Sequence, residues 1–178
     1  MATHPGTGHK GNTHFAGSTD PMKTDNENDG PDFNAFSLPL IGLPVSSVWQ
    51  GHGSAIFLEF GILQPPHQRS DGSPGHPCGE WTLMIEWSWR IEGKRRIWCG
   101  SWSDEKRWPR TFARVQGARV ASASLFGRLP EISLGLSNGL YVVSMMTAGG
   151  DPAWALIKHE QEDATSIHVR AGRLHIEN

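Results

Sequence analysis

Cysteine is scarce in this sequence, because the 178 residues contain only Cys78 and Cys99. Two cysteines are too few for a disulfide scaffold and, by themselves, too few for a structural zinc site. No apolar run approaches the length of a membrane-spanning helix, and the first residues lack the apolar segment of a secretory signal. These absences predict a cytoplasmic protein that has no membrane partner.

Catalytic and metal-binding motifs are also missing. The nine histidines include no H-E-x-x-H spacing. The segment Gly-His-Gly-Ser at residues 51–54 lacks the G-x-S-x-G pattern of a nucleophile elbow and is predicted to form a β-turn. No glycine-rich phosphate loop occurs, since residues 149–152 indicate a turn. We therefore predict no catalytic residue, no metal ligand and no cofactor.

Residues 1–37 differ in composition from the rest of the chain. They are rich in Gly, Thr, Asn, Asp, His and Pro and cannot bury enough apolar area to offset the entropy lost on ordering. This segment is predicted to be a disordered polar tail, and its two lysines and five acidic residues give it a formal charge of −3. Residues 38–178 carry about +1 and are predicted to form a single β domain.

Apolar residues alternate with polar ones from residue 40 onward. Along residues 81–91, every odd position is Trp, Leu or Ile, whereas the even positions are mixed. This period is typical of a strand with one buried face, so we predict a continuous strand over these residues. The whole pattern predicts an all-β fold, an antiparallel sandwich or flattened barrel. One short helical segment is expected near residues 104–112, where Ser103 or Asp104 can cap it and Pro109 limits its length.

The segment Glu-Gly-Lys-Arg at residues 92–95 predicts a hairpin with a two-residue loop that has glycine first. In that register Glu92 lies opposite Arg95, and Trp89 lies opposite Trp98. The large aromatic side chains then share one face, which we interpret as core rather than as a platform for sugars or bases. These residues are Trp81, Trp87, Trp89, Trp98 and Trp102.

Two parts of the sequence resemble each other. The pattern Leu-x-Gly-x-x-Val at residues 40–45 has its counterpart in Val-x-Gly-x-x-Val at residues 115–120, displaced by 75 positions. An alternating strand that ends near glycine follows each pattern, at residues 56–61 and 132–139. The similarity predicts two β-meander halves, at about 38–112 and 113–178, with sheet faces that bury each other.

The same glycine and valine positions, with Phe-Gly and Ser-Asn-Gly after the alternating strands, resemble a family of small uncharacterised bacterial β-rich proteins, domains of unknown function. The resemblance covers roughly residues 38–158 and rests on structural glycines and core positions. It implies no catalytic residues. Some small proteins of this general kind serve as immunity or accessory proteins in toxin systems, which implies a protein partner.

Residues 90–119 form a basic stretch, with nine Lys or Arg residues against three acidic ones and with tryptophans between them. Such a stretch suits an acidic protein surface, and nucleic acid is the less favoured partner. The alternative is a solvated sheet edge, where Lys and Arg prevent aggregation. The candidate partner-binding residues of this stretch are Arg95, Arg96, Lys106, Arg107 and Arg110.

Three functions are therefore open. The leading prediction is a noncatalytic protein-binding or accessory, immunity-like protein. A second is a small-ligand or carbohydrate-binding module that uses Trp49 and Trp108, which lie among polar or turn residues and are expected to be exposed. A third is a hydrolase-type enzyme that uses a carboxylate and His52.

Overall fold

The computed structural model describes residues 31–66, 68, 72–160 and 163–178. Eleven strands form two antiparallel sheets, as the alternation predicts. One sheet contains β1 (Val45–Gln50), β2 (Ile56–Phe60), β3 (Trp81–Ile85), β9 (Trp154–His159), β10 (Ala164–Arg170) and β11 (Arg173–Glu177). The other contains β4 (Trp89–Gly93), β5 (Arg96–Gly100), β6 (Val120–Phe126), β7 (Glu131–Leu136) and β8 (Tyr141–Ser144). The strand orders are β1-β2-β3-β9-β10-β11 and β5-β4-β8-β7-β6.

The core lies between the two sheets. Alternate residues of the central strands are buried in one apolar cluster, and the prediction of an all-β sandwich is confirmed. Fully buried members from both sheets include Ile56, Leu58, Phe60, Leu83, Ile91, Ile132, Leu134, Trp154 and Leu156.

The strand predicted over residues 81–91 is interrupted. β3 ends at Ile85 in the six-stranded sheet, and β4 begins at Trp89 in the five-stranded sheet. At the crossing, the backbone N–H of Glu86 donates to the Ala153 carbonyl, so neighbouring chain segments replace the hydrogen bonds of a continuous strand. Each predicted half consequently contributes strands to both sheets instead of forming one sheet of its own.

The register predicted for the β4–β5 hairpin is wrong, because the loop is displaced by one residue and Glu92 pairs with Ile97 instead of Arg95. The loop is Lys94-Arg95, Gly93 pairs with Arg96, and the pairing shifts at a bulge between Ile91 and Glu92. A bulge places an extra residue in one strand and changes which side chains face the core. The single aromatic face is therefore not formed: Trp81 and Trp89 are buried, Trp98 is half-buried, and Trp87 and Trp102 are exposed.

The helical segment predicted near residues 104–112 is confirmed and extends further. A 3₁₀ turn at Glu105–Arg107, which the Asp104 carboxylate caps at the Lys106 N–H, leads into helix α2 (Trp108–Val115). Pro109 lies in the first turn, where a helix has no use for the missing N–H, so it does not shorten α2.

The tail predicted over residues 1–37 is ordered at its end. Residues 1–30 lie outside the described residues, but Phe33–Ser37 form a short helix, α1, and the Asp32 carboxylate caps it. Phe33 packs edge-on against Trp154, with ring centroids 5.9 Å apart. Residues 33–37 therefore pack with the β domain, because apolar burial of phenylalanine outweighs the polar composition around it. No helix in the described ranges is long and apolar enough to span a membrane.

Positions 75 residues apart make reciprocal contacts where the halves meet. The Gly42 N–H donates to the Val120 carbonyl, and the Gly117 N–H donates to the Val45 carbonyl. Both glycines have a positive φ, +88° for Gly42 and +85° for Gly117, and residues with a side chain rarely adopt this backbone conformation. β1 and β6 each carry a bulge within their first three residues. These matching contacts agree with duplication of one ancestral unit, which stays a prediction.

Candidate functional site

Four of the predicted basic residues meet in one groove between β5 and α2. The groove has a volume of about 460 Å³. We call it the basic groove, and its lining residues are Arg96, Ile97, Trp98, Lys106, Arg107, Arg110, Thr111 and Arg114. Five of these eight residues are cations, and all five are exposed.

Helical periodicity explains why the cations converge. Arg107, Arg110 and Arg114 follow one another at intervals of three and four residues, so they share one face of the 3₁₀ turn and α2. The adjacent face is buried through Trp108, Thr111 and Val115, which fixes the direction in which the arginines point. Like charges at this spacing repel by about 0.2–0.5 kcal/mol per pair, so the arrangement does not serve helix stability.

Trp98 organises the floor of the groove. The Arg96 guanidinium carbon lies 3.5 Å from the centroid of the Trp98 ring, and that of Arg114 lies 4.5 Å from it. Cation–π contacts of this kind contribute about 0.5–1 kcal/mol at exposed sites. Two charges from separate elements are thus held around one ring, beside the Ile97 side chain, which is 61% exposed.

The charge of the groove is not neutralised within the described part of the chain. The three ion pairs found there are Arg90–Glu92, Lys158–Glu160 and Arg170–Asp151, and none of them involves a groove cation. The groove therefore has a concentrated positive electrostatic potential. A concave surface focuses this potential, which attracts anionic partners.

Two predicted residues of the same stretch lie elsewhere. Arg95 is exposed in the loop of the β4–β5 hairpin and does not line the groove. Trp108 is only 2% exposed, so the prediction that it is exposed is wrong. Its indole N–H donates to the Gly100 carbonyl and to the Ser103 hydroxyl, both at 3.1 Å. Trp108 anchors α2 to the end of β5, because the apolar ring completes the core and the N–H finds partners at its edge.

Trp49 and His52 do not form a site together. The Trp49 ring stacks between Phe57 and His76, with centroids 3.9 and 4.0 Å away, so its faces are already covered. His52 is exposed in the β1–β2 turn, which an Ala55 N–H to His52 carbonyl bond closes. The His52 imidazole makes no hydrogen bond with any described residue. The hydrolase alternative requires a carboxylate within hydrogen-bonding distance of this imidazole.

A second polar site lies on the outer side of the six-stranded sheet. Glu59 is 1% exposed although its side chain is polar, and its carboxylate accepts hydrogen bonds from the Trp49 indole, the Gly79 N–H and the Thr82 hydroxyl at 2.6–3.0 Å. The Thr82 hydroxyl also lies 2.8 Å from Nε2 of His159. We call Glu59, Cys78, Thr82 and His159 the Glu59 cluster.

Burial shifts two titrations in the Glu59 cluster. It raises the pKa of the Cys78 thiol, and the nearby Glu59 carboxylate raises it further. Burial lowers the pKa of the His159 imidazole, against the opposing effect of Glu59. The hydroxyl of Thr82 can accept from His159 Nε2–H while it donates to Glu59, which forms a chain from imidazole to carboxylate.

The lowered pKa of His159 makes the stability of the fold depend on pH. Since the unfolded chain binds a proton more readily at this position, stability is full above about pH 6.5 and is lost as pH falls below it. We expect His159→Gln, which keeps a hydrogen-bonding partner for Thr82, to lose less unfolding free energy between about pH 7.5 and pH 5 than the wild type. Urea unfolding at several pH values, with a chelator present, measures the unfolding free energy of the variant and of the wild type. A His52→Gln control should keep the wild-type pH dependence, and an unchanged slope in His159→Gln would contradict the assignment.

Sequence reasoning missed part of both sites. The pattern predicts a core position for Trp98, and the candidate residues do not include Arg114, although it lies four residues after Arg110. None of the residues of the Glu59 cluster was predicted to act together. One signal was present, because Glu59 interrupts the otherwise apolar run Ile-Phe-Leu-Glu-Phe of β2. A lone acid in a buried strand indicates a polar partner from elsewhere in the fold.

Comparison with known proteins leaves the function to be argued from this geometry. No protein-family model matches the chain. Neither a curated protein nor a solved structure matches it. The resemblance to uncharacterised bacterial β-rich proteins stays a prediction.

Proposed function

We propose that this protein is a noncatalytic binding protein, of accessory or immunity-like type, that holds an acidic surface of another protein in the basic groove. The observation that carries the proposal is the convergence of five exposed cations without an ion pair in the described part of the chain. Such a groove suits a partner that brings the missing carboxylates.

The floor of the groove favours a protein over a nucleic acid. A single-stranded nucleic acid needs an aromatic face on which a base can stack. Two guanidinium groups already cover the Trp98 ring, and the exposed apolar residue beside it is Ile97. An isoleucine offers no stacking face, but it suits an apolar side chain placed among the partner's acidic residues.

The strength of this attraction depends on salt. An exposed ion pair contributes about 0.2–1 kcal/mol, so several pairs acting together contribute a few kcal/mol. Salt at about 0.15 M reduces the range of the field to about 8 Å. Binding through the basic groove should therefore weaken steeply between about 0.05 M and 0.5 M sodium chloride, largely through slower association.

A matched pair of double variants tests the proposal. The probe is a short fluorescein-labelled peptide of glutamate and leucine, and its binding is followed by fluorescence anisotropy. Arg110→Glu/Arg114→Glu should weaken binding at least about 30-fold, or about 2 kcal/mol, because two attractions become repulsions. Arg128→Glu/Arg173→Glu changes the net charge equally at exposed positions outside the groove and should leave affinity within about twofold.

Two results would overturn the proposal. One is an equal loss of affinity in both double variants, which would show that net charge and not the groove attracts the peptide. The other is tighter binding of an oligothymidine than of the acidic peptide at the same salt, which would favour nucleic acid as the partner.

A further inference from the structure

We propose that the Glu59 cluster is a binding site for Zn²⁺, with Glu59, Cys78 and His159 as its three protein ligands. Each residue offers one ligand atom, a carboxylate oxygen, the thiol sulfur and an imidazole nitrogen, and these atoms all lie within 4.8 Å of one another. In a tetrahedral zinc site, bonds of about 2.0–2.3 Å place the ligand atoms about 3.5 Å apart. Small side-chain movements therefore bring the three atoms into coordination.

The backbone around the cluster holds the ligands in place. Glu59 and His159 lie on β2 and β9, and β3 runs between these two strands. The His159 N–H donates to the Glu80 carbonyl, next to the start of β3. The loop that carries Cys78 is tied to the preceding chain, because the Gln64 N–H donates to the Cys78 carbonyl at 2.7 Å. The ligands thus come from three separate segments that the sheet fixes relative to one another.

The chemistry of the donors selects the ion. One thiolate, one imidazole and one carboxylate form a mixed sulfur, nitrogen and oxygen set, which suits zinc and does not suit Mg²⁺ or Ca²⁺. Three protein ligands leave a fourth position, and Cys78 and His159 are only half-buried, so solvent can reach the site. A bound cation would also give the buried Glu59 carboxylate a positively charged partner, since no ion pair joins it to any described residue.

Thr82 then acts as a positioning residue. The Thr82 hydroxyl lies 2.8 Å from Nε2 of His159 and donates to the Glu59 carboxylate at 2.6 Å, so it holds two of the three ligands relative to each other. Partners of this kind fix the tautomer and the ring orientation of a metal-bound histidine. The hydrogen bonds already present in the cluster therefore restrain the imidazole and the carboxylate before zinc binds.

The test uses the full chain, reduced and freed of metal with a chelator. Zn²⁺ alone is titrated in competition with a chromophoric chelator, and Co²⁺ is added separately to detect a thiolate-to-cobalt charge-transfer band. We expect one tight zinc per chain and a clear band. Cys78→Ser should abolish the band, and Cys78→Ser and His159→Gln should each weaken zinc binding at least about 100-fold. Circular dichroism reports whether these variants are folded.

The chain supplies its own controls. His4, His9 and His14 can bind zinc adventitiously, so the triple variant with alanine at these positions should keep the tight site, as should His52→Gln. If a variant of the cluster fails to fold, alkylation of the wild-type protein tests whether zinc binds at Cys78. Zinc should protect Cys78 from iodoacetamide, and a chelator should remove that protection, as mass spectrometry of the peptides shows. The proposal is overturned by the absence of tight binding, by loss of binding in the triple variant, or by equal alkylation of Cys78 with and without zinc.

Discussion

Replacing Trp108 by alanine is expected to lower the free energy of unfolding by about 3–5 kcal/mol. The ring of Trp108 is buried and packs against Trp89, with centroids 5.2 Å apart, and against Phe112, at 6.2 Å. Its removal leaves a cavity and also deprives the Gly100 carbonyl of a donor. Since Trp108 joins α2 to β5, the variant should also loosen the basic groove and weaken binding of the acidic peptide.

Trp102→Ala is the matched control for this prediction. The side chain of Trp102 is 86% exposed and lies six residues away in the same segment, so its removal should change stability by no more than about 0.5 kcal/mol. Urea unfolding followed by circular dichroism compares the two variants without depending on tryptophan fluorescence. Equal stability of the two variants would show that α2 does not rest on Trp108 and would contradict the packing described for the groove.

Gly79→Ala is expected to destabilise the fold by about 3 kcal/mol or more. A Cβ at this position would lie 2.4 Å from the carbonyl oxygen of Phe60, 2.6 Å from its amide nitrogen and 2.9 Å from the carbonyl oxygen of Trp81. All three are backbone atoms of the six-stranded sheet and cannot move without breaking it. The shift would also pull the Gly79 N–H away from the Glu59 carboxylate, which is buried and needs its donors.

Gly149→Ala provides the comparison for Gly79. Its added Cβ would meet nothing within 4 Å, and its φ lies outside the range that side chains avoid. The change in unfolding free energy should therefore stay within about 0.5 kcal/mol, and thermal unfolding of both variants at one pH measures the difference. A Gly79→Ala protein as stable as the wild type would mean that the loop before β3 does not approach β2 as described.

The fold could be predicted to the extent that it depends on local pattern. Alternation identifies β2 and β7, and the Asp104 cap with Pro109 identifies the start of the helical segment. The interruption at residues 86–88 could not be predicted, because the pattern of alternating residues continues across it. Only the hydrogen bonds offered by the segment at residues 145–153 show that the chain changes sheets there. The bulge at Ile91 likewise depends on how the hairpin packs.

The basic groove was partly predictable for the same reason. Arg107 and Arg110 share a face through helical spacing, whereas Arg96 arrives from a strand, and only the packing of α2 on β5 brings them together. The half-buried position of Trp98 in the groove depends on the hairpin register, which local pattern does not determine. Glu59 alone gives a signal in the sequence, but its partners could not be predicted, since the cluster members are separated by up to a hundred residues and meet only through the order of β2, β3 and β9.

The location of the bound acidic peptide tests the proposed function most directly. The measurement is a titration of the isotope-labelled full chain with the unlabelled glutamate and leucine peptide, followed by amide chemical shifts at low salt. The account predicts that the largest shifts fall on residues 96–98 and 106–114 and that they disappear in Arg110→Glu/Arg114→Glu. Shifts concentrated at the β1–β2 turn or around the Glu59 cluster, or shifts that persist unchanged in that variant, would contradict it.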